Sequence, residues 1–297
     1  MSLWIPITIA AAAMQTLRFV LQKQLSGSEL SAAGATFARF LFAAPLACLA
    51  AALALRIGGD ALPRPGAGFW GFVLLGGIAQ IIATFLTVAL FGMRNFAVGV
   101  AFTKTETVQV ALFSAAILGE AVAPAGWLAI GIGLSGVLLL SRSPDPGAPL
   151  LGRPAAYGVL AGGLFGLSAI GYRGATVALD ALPYFTRALV ALAAATVLQS
   201  LAMAMWLAWR EPGQIARVTA GWRRTALVGL TGVLGSLGWF TAFSLQNAAL
   251  VRALGQVEIV FTLMASVLVF RERLRWREAA GIALVVLSLI VLVRTLG

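Results

Sequence analysis

The sequence predicts an all-α membrane protein with ten transmembrane helices, arranged as two inverted five-helix repeats. Three observations support this prediction. First, 61% of the residues are hydrophobic and only 10% are charged, whereas a soluble domain has about 25% charged residues. Second, the apolar segments reach the length of roughly 20 residues that a helix needs to cross the bilayer core. Third, the sequence repeats itself after a shift of 152 positions.

The apolar segments indicate helices rather than strands. They are too long and too continuous for the alternating strands of about 10 residues that form a membrane barrel. The ten predicted spans lie at 3–22, 32–55, 69–92, 97–118, 124–141, 155–173, 184–208, 225–245, 250–269 and 276–294.

The repeat is clearest in two acidic stretches. The stretch "TETVQVALFSAAILGE" (105–120) aligns with "VEIVFTLMASVLVFRE" (257–272). In each stretch one glutamate begins an apolar run and a second glutamate ends it 14 positions later. The four acids are Glu106, Glu120, Glu258 and Glu272.

A linker rich in proline and glycine, at 142–154, separates the halves, as expected of a boundary. We therefore predict one five-helix repeat at 1–143 and a second at 154–297. Because each half has an odd number of spans, the second half enters the membrane from the opposite side. Inverted repeats are a recurrent plan of secondary transporters, in which the substrate site lies near the midplane between the repeats.

These features resemble the EamA repeat of the drug/metabolite transporter superfamily. In both halves an acid and a long run of small and apolar residues lead into "GE" or "RE" and a glycine-containing span. The matching stretches are "GEAVAPAGWLAIGIGLSGVLLL" (119–140) and "RERLRWREAAGIALVVLSLIVLV" (271–293), with Arg39 and Arg187 early in the second span of each half. The resemblance implies a ten-helix carrier of small metabolites, and it leans toward bacterial aromatic amino acid exporters.

The sequence departs from the family at one point. EamA repeats usually have a proline just after the first acid, where this sequence has Thr107 and Ile259. Since a proline would kink the helix, its absence leaves open whether these helices bend where the family's do.

The four acids fall into two groups. Fourteen helical residues rise about 21 Å, so Glu120 and Glu272 should lie at the membrane surface, pairing with arginines or fixing a turn. Glu106 and Glu258 lie nearer the midplane, where a charge costs about 2.5–3.5 kcal/mol on insertion scales. Each of these two acids either contacts substrate or forms a buried pair with an arginine of a neighbouring helix.

Other polar and aromatic residues within the spans are further candidates. Lys104 is too deep to reach the interface comfortably, so it should face a pore or pair with an acid. Gln15, Arg18 and Gln22 form a stripe on the first span that cannot face lipid. Arg39 and Arg187 are expected to be structural anchors.

We predict a central cavity lined by the third, fourth, eighth and ninth spans. Trp239 and Phe243 lie four positions apart, so they form either an apolar wall of this cavity or a core cluster. The predicted substrate-binding residues are Gln80, Thr84, Lys104, Glu106, Trp239, Phe243, Gln256 and Glu258.

Several function classes are disfavoured. The chain has no histidine, a single cysteine (Cys48) and no phosphate-binding P-loop, so we predict no enzyme activity, catalytic residue, cofactor or metal site. The net charge of +11 would suggest nucleic acid in a soluble protein, but most arginines lie at helix ends and in short loops, where they anchor a membrane protein. The expected partners are a small-molecule substrate and the lipid bilayer, and the expected unit is a monomer.

The leading hypothesis is a secondary transporter of the bacterial inner membrane. It would export small amphipathic metabolites, mainly amino acids including aromatic ones, by alternating access. One alternative is an exporter of drugs or hydrophobic cations, and another is a non-transporting assembly or sensing subunit. The resemblance places both termini in the cytoplasm, whereas the distribution of arginines between the loops favours the opposite orientation under the positive-inside rule.

Overall fold

The computed structural model describes residues 2–26, 30–93, 103–120, 122–141, 153–271 and 276–296, and all regular structure in these ranges is helical. A π-helical turn at Ser114–Leu118 follows α4, and a 3-10 turn at Gly255–Val257 joins α10 to α11. The α-helices are α1 (Trp4–Ser26), α2 (Ala32–Gly58), α3 (Ala67–Phe91), α4 (Glu106–Phe113), α5 (Pro124–Ser141), α6 (Arg153–Val177), α7 (Tyr184–Arg210), α8 (Gln214–Ala220), α9 (Trp222–Leu245), α10 (Ala248–Leu254), α11 (Glu258–Leu268) and α12 (Trp276–Leu296).

Six stretches of the described chain are long and apolar enough to cross a membrane. They are α1, α2, α3, α7, α9 and the combined stretch Ala248–Leu268. Helices α4, α5, α6 and α12 overlap the other four predicted spans. The all-helical prediction is therefore confirmed for the described residues, while the number of ten spans stays a prediction. The short helix α8 was not predicted, because its seven residues are too few and too polar to form a span.

Helices at equivalent places in the two halves pack reciprocally. Helix α1 packs against α9, and its counterpart α6 packs against α3. Likewise α2 packs against its counterpart α7, and α5 against α12. This is the pattern that a two-fold relation between the halves would produce. The inversion and the repeat boundaries at 1–143 and 154–297 stay predictions.

The fourth and ninth spans are interrupted just before their glutamates. Lys104 and Thr105 form a turn ahead of α4, and the 3-10 turn lies directly ahead of α11. Glu106 and Glu258 are consequently the first residues of α-helices. These turns lie beside the position at which the EamA repeat, which the sequence resembles, usually has a proline, although this chain has Thr107 and Ile259 there. A carboxylate in a first helical turn is also favoured by the helix dipole, by about 0.3–1 kcal/mol.

The glycines of α9 allow its close approach to α1. A Cβ added at Gly238 would lie 2.7 Å from the Cβ of Ala11, and one added at Gly235 would lie 3.4 Å from the backbone nitrogen of Gln15. Small residues at such contacts let helix backbones pack closely in membranes. The α1–α9 pair therefore holds the first half against the second near the middle of the fold.

At one end of the bundle, arginines bind the end of α9. Arg173 forms a salt bridge with Glu120 at 2.9 Å and donates a hydrogen bond to the Phe243 carbonyl at 2.6 Å. Arg187 donates to the Ser244 carbonyl at 2.6 Å. Cations commonly satisfy the last carbonyls of a helix in this way. The predicted structural pairing of Glu120 and the anchoring role of Arg187 are confirmed, whereas Glu272 lies outside the described residues.

Candidate functional site

A small cavity lies between the two halves of the chain. Its volume is about 20 Å³, enough for about one water molecule. The first half contributes Gln15 and Gln80, and the second half contributes the aromatic part of the wall. The lining residues are Gln15 of α1, Gln80 of α3, Phe165, Ser168, Ala169 and Tyr172 of α6, Ser236, Trp239, Phe240 and Phe243 of α9, and Arg252 of α10.

The walls of this cavity differ in part from those predicted. The third, eighth and ninth spans contribute as expected, but α1 and α6 also line the cavity, and the described part of the fourth span does not. The reason is the reciprocal packing of α1 on α9 and of α6 on α3, which brings the first helix of each half to the centre. The charged residues of the described part of the fourth span instead bind charged residues of the ninth span.

The predicted site residues accordingly divide into two sets. Gln80, Trp239 and Phe243 line the cavity. The other five bind neighbouring side chains instead of lining it: Thr84 binds Arg39, Lys104 binds Glu258, Glu106 binds Arg252, and Gln256 binds Thr107.

Four neighbouring residues hold Trp239 in place. Its indole nitrogen donates a hydrogen bond to Gln15 Oε1 at 3.0 Å, and the Arg252 guanidinium lies 4.4 Å from the centre of its ring. Phe243 stacks beside it with ring centroids 6.1 Å apart. Gly255 lies against the far edge of the ring, since a Cβ there would be 2.7 Å from Trp239 Cη2. A desolvated cation over a tryptophan ring contributes about 2 kcal/mol, so Trp239 and Arg252 hold each other in place.

Two buried ion pairs connect the halves. Lys104 Nζ lies 2.6 Å from Glu258 Oε2, and Arg252 forms a hydrogen-bonded salt bridge with Glu106. Gln15 Nε2 donates a further hydrogen bond to Glu258 Oε2 at 2.7 Å. The sequence-based alternative of a buried arginine partner therefore holds for Glu106, whereas Glu258 uses a lysine. Lys104, in the turn ahead of α4, and Glu106, the first residue of α4, therefore bind different partners.

Each of these acids retains one oxygen without a hydrogen bond in the described structure. These atoms are Glu106 Oε2 and Glu258 Oε1, both shielded from solvent. Buried polar atoms are usually hydrogen-bonded, so the two pairs are only partly satisfied. Such pairs are sensitive to change, because removing one partner of a buried pair costs about 3–5 kcal/mol.

A second polar group joins two residues of the cavity wall, Gln80 and Tyr172, to Gln199 of α7. The hydroxyl of Tyr172 donates to Gln80 Oε1 at 2.7 Å, and Gln199 Nε2 donates to the same oxygen at 3.0 Å. Sequence reasoning overlooked both Tyr172 and Gln199. Gln199 is a polar residue in the middle of the long apolar helix α7, and this signal was sufficient to find it.

Two further arginines lie deep in the first half. Arg39 donates to Thr84 Oγ1 at 2.9 Å and to Ser236 Oγ at 3.2 Å. Arg18 donates to Gln22 Oε1 at 2.8 Å. The prediction of a structural anchor is incomplete for Arg39, because it contacts a residue of the cavity wall and its repeat partner Arg187 binds helix-end carbonyls instead.

Among the described residues, no group of three or more histidine, cysteine, aspartate and glutamate residues could hold a metal ion. The charged groups of the site are instead bases and acids that bind one another.

Comparison with known proteins agrees with this architecture. The model of the EamA-like transporter family matches residues 2–142 and again residues 155–294. A solved crystal structure of a protein covers 98% of this chain and 95% of its own length, with a TM-score of 0.66 at 16% sequence identity, and this likeness shows the fold alone. No curated protein matches the sequence. The two family matches together span almost the whole sequence, so the chain belongs to the EamA-like transporter family of the drug/metabolite transporter superfamily, whose members are membrane transporters of small molecules rather than enzymes.

Proposed function

We propose that the protein is a secondary transporter that exports small amphipathic metabolites, chiefly amino acids including aromatic ones, by alternating access. The main support is the composition of the cavity between the halves. Trp239, Phe240 and Phe243 offer an apolar, aromatic wall, while Gln15 and Gln80 offer amide groups. Ligand sites commonly combine apolar walls with a few polar groups that fix orientation.

The size of the cavity supports the alternating-access part of the proposal. A cavity of about 20 Å³ cannot hold an amino acid, since small-molecule sites are typically about 300–1,000 Å³. A substrate can enter only if the helices around the cavity separate. In our proposal the conformation described here is the contracted one, and the halves move apart at the ion pairs Lys104–Glu258 and Glu106–Arg252.

The charges at the cavity argue against a carrier of hydrophobic cations. That alternative needs Glu106 and Glu258 as counter-charges for the substrate. In the described structure both carboxylates already bind internal bases, and the charged residue that lines the cavity is Arg252. Membership of a transporter family also argues against a non-transporting assembly subunit. We further propose a monomer in the bacterial inner membrane with cytoplasmic termini.

The test is transport by proteoliposomes that contain only this chain. Radiolabelled tryptophan and phenylalanine should exchange across the vesicle membrane faster than alanine, and tetraphenylphosphonium, a hydrophobic cation, should not exchange. Trp239→Ala should reduce exchange of the aromatic amino acids by roughly 2- to 12-fold more than that of alanine, because an aromatic pair contributes about 0.5–1.5 kcal/mol beyond area burial.

The matched control is Trp70→Ala. Trp70 is 48% exposed on the outer surface of α3 and contacts Phe69 rather than the cavity. This variant should leave the substrate preference unchanged. Exchange of tetraphenylphosphonium but of no amino acid would overturn the proposal in favour of a cation exporter. Absence of exchange for every probe would favour a different substrate class.

A further inference from the structure

The buried charges of the described structure do not balance. Four buried bases (Arg18, Arg39, Lys104 and Arg252) accompany two buried acids (Glu106 and Glu258). The two acids form salt bridges with Lys104 and Arg252. Within the described part of the chain, the hydrogen-bond partners of Arg18 and Arg39 are neutral amide and hydroxyl groups. Each guanidinium also lies over the ring of the phenylalanine that follows it in sequence, at 4.3 Å and 5.1 Å from the ring centre. The surplus positive charge therefore resides on these two arginines.

Arg18 and Arg39 lie side by side. Both stems pack over Gly232 of α9, where an added Cβ would lie 3.1 Å from Arg39 Cγ and 3.5 Å from Arg18 Cδ. Arg18 is 1% exposed and Arg39 is 3% exposed. The Nη2 atom of Arg18 is buried without a hydrogen-bond partner in the described structure. Two buried like charges repel each other, so an anion bound between the two guanidinium groups would stabilise them.

The arginine pair lies one helical turn away from the cavity. On α1, the cavity residue Gln15 is followed by Arg18 on the next turn. On α3, Gln80 is followed in the same way by Thr84, which binds Arg39. On α9, Ser236 lines the cavity and Gly232 lies one turn before it.

One turn of helix corresponds to about 5.4 Å. Ser236 connects the two levels directly, since it lines the cavity and accepts a hydrogen bond from Arg39. Along α1 the step from Gln15 to Arg18 leads away from the N-terminus. The arginines thus lie just beyond the cavity lining, on the side away from the N-terminal end of α1.

We propose that Arg18 and Arg39 form an anion subsite that binds the carboxylate of the transported substrate while its apolar part lies against Trp239 and Phe243. This inference rests on the proposed function and makes it more specific. Guanidinium groups bind carboxylates through two parallel charge-assisted hydrogen bonds. A bound carboxylate would supply the acceptor that Arg18 Nη2 lacks and would reduce the repulsion between the arginines.

The same chemistry could serve a free inorganic anion such as chloride. The two sources differ in what the arginines control. If the anion belongs to the substrate, the arginines determine preference among organic probes. If the anion is chloride, the arginines determine how much chloride raises the thermal stability of the protein. The organic probes then bind equally well with or without a carboxylate.

The experiment measures binding to the purified full-length chain in detergent by isothermal titration calorimetry, in chloride-free buffer. The probes are 3-phenylpropionate, its neutral amide and phenethylammonium. The carboxylate should bind at least about tenfold more tightly than the amide, as expected when a hydrogen bond to a charged group is lost. Phenethylammonium should bind more weakly than either.

The variants are Arg18→Gln and Arg39→Gln, each of which should reduce the preference for the carboxylate to less than about threefold. The matched control is Arg187→Gln, since Arg187 corresponds to Arg39 in the repeat but binds the end of α9. This control should keep the full preference. Should a glutamine variant fail to fold, the wild-type comparison of carboxylate with amide and the variant Gly232→Ala, which presses on Arg39, still test the proposal.

Three results would overturn the subsite. One is equal binding of the carboxylate and the amide to the wild type. Another is an unchanged preference in both glutamine variants. The third is thermal stabilisation by chloride that depends on the arginines, together with no preference among the organic probes. Exchange of tryptophan by proteoliposomes in any of these cases would keep the proposed function and reject only the subsite.

Discussion

Lys104 of the first half binds Glu258 of the second half at 2.6 Å. A second ion pair joins the halves with the acid and the base exchanged. Glu106, the repeat equivalent of Glu258, binds Arg252 of the second half. Each half therefore supplies one acid and one base to the boundary between them. Because each pair joins the two halves, the separation of the halves that we propose must break both pairs.

The first prediction concerns the stability of the Lys104–Glu258 pair. Lys104→Met leaves the Glu258 carboxylate buried without its base and should destabilise the protein by about 3–5 kcal/mol. The double variant Lys104→Met/Glu258→Gln should recover much of this loss, because it leaves no unpaired charge. Thermal unfolding in detergent measures both effects. If the two substitutions are additive, the residues are not energetically coupled and the contact has no structural role.

The second prediction separates the roles of Glu106 and Glu120, the two acids of the first repeated stretch. Glu106→Gln frees Arg252, which lines the cavity and lies over the Trp239 ring. We expect aromatic substrates to bind roughly tenfold more weakly, since a hydrogen bond between charged groups contributes about 1.5–3 kcal/mol. The control is Glu120→Gln, which affects an acid bound to Arg173 at the end of the bundle. Equal affinities in the two variants would show that Glu106 does not position the site.

The third prediction concerns the close contact between Gly255 and the edge of the Trp239 ring. Gly255→Ala would place a methyl group 2.7 Å from Trp239 Cη2, so the indole must shift. This shift weakens its hydrogen bond to Gln15 and its contact with Arg252. Transport of tryptophan should fall several-fold, by about the 0.5–1.5 kcal/mol of an aromatic contact. Gly66→Ala, at a position with open space around it, is the control. Unchanged transport of tryptophan by the Gly255→Ala variant would show that transport does not depend on the position of the Trp239 ring.

The sequence predicted the helices well because long apolar runs have few alternatives in a membrane. It also predicted that Glu106 and Glu258 are equivalent, and that Lys104 would pair if it did not face a pore. These conclusions depend on features along the chain: length, repeat spacing and depth within a span. They need no knowledge of which helices become neighbours.

The walls of the cavity could not be predicted in the same way. The roles of Gln15, Tyr172 and Arg252 arise from the packing of α1, α6 and α10 around α9, which the repeat alone does not specify. Arg39 and Arg187 show the same limit, since equivalent positions have different partners in the two halves. The helix breaks before Glu106 and Glu258 were also hidden, because the proline that marks them in the family is missing.

The last prediction concerns membrane orientation, on which the family resemblance and the arginine count disagree. We expect both termini in the cytoplasm, so a fluorescent protein fused after Gly297 should mature and fluoresce.

A cysteine placed at Asp60, between α2 and α3, should share the side of the termini, because two spans precede it. A cysteine at Arg217 on α8 should lie on the opposite side, because seven predicted spans precede it. In a Cys48→Ala background, an impermeant thiol reagent applied to whole cells should therefore label position 217 and spare position 60. The reverse labelling, together with a dark but inserted fusion, would show that the arginines of the α7–α9 region face the cytoplasm and that the positive-inside rule determines the orientation.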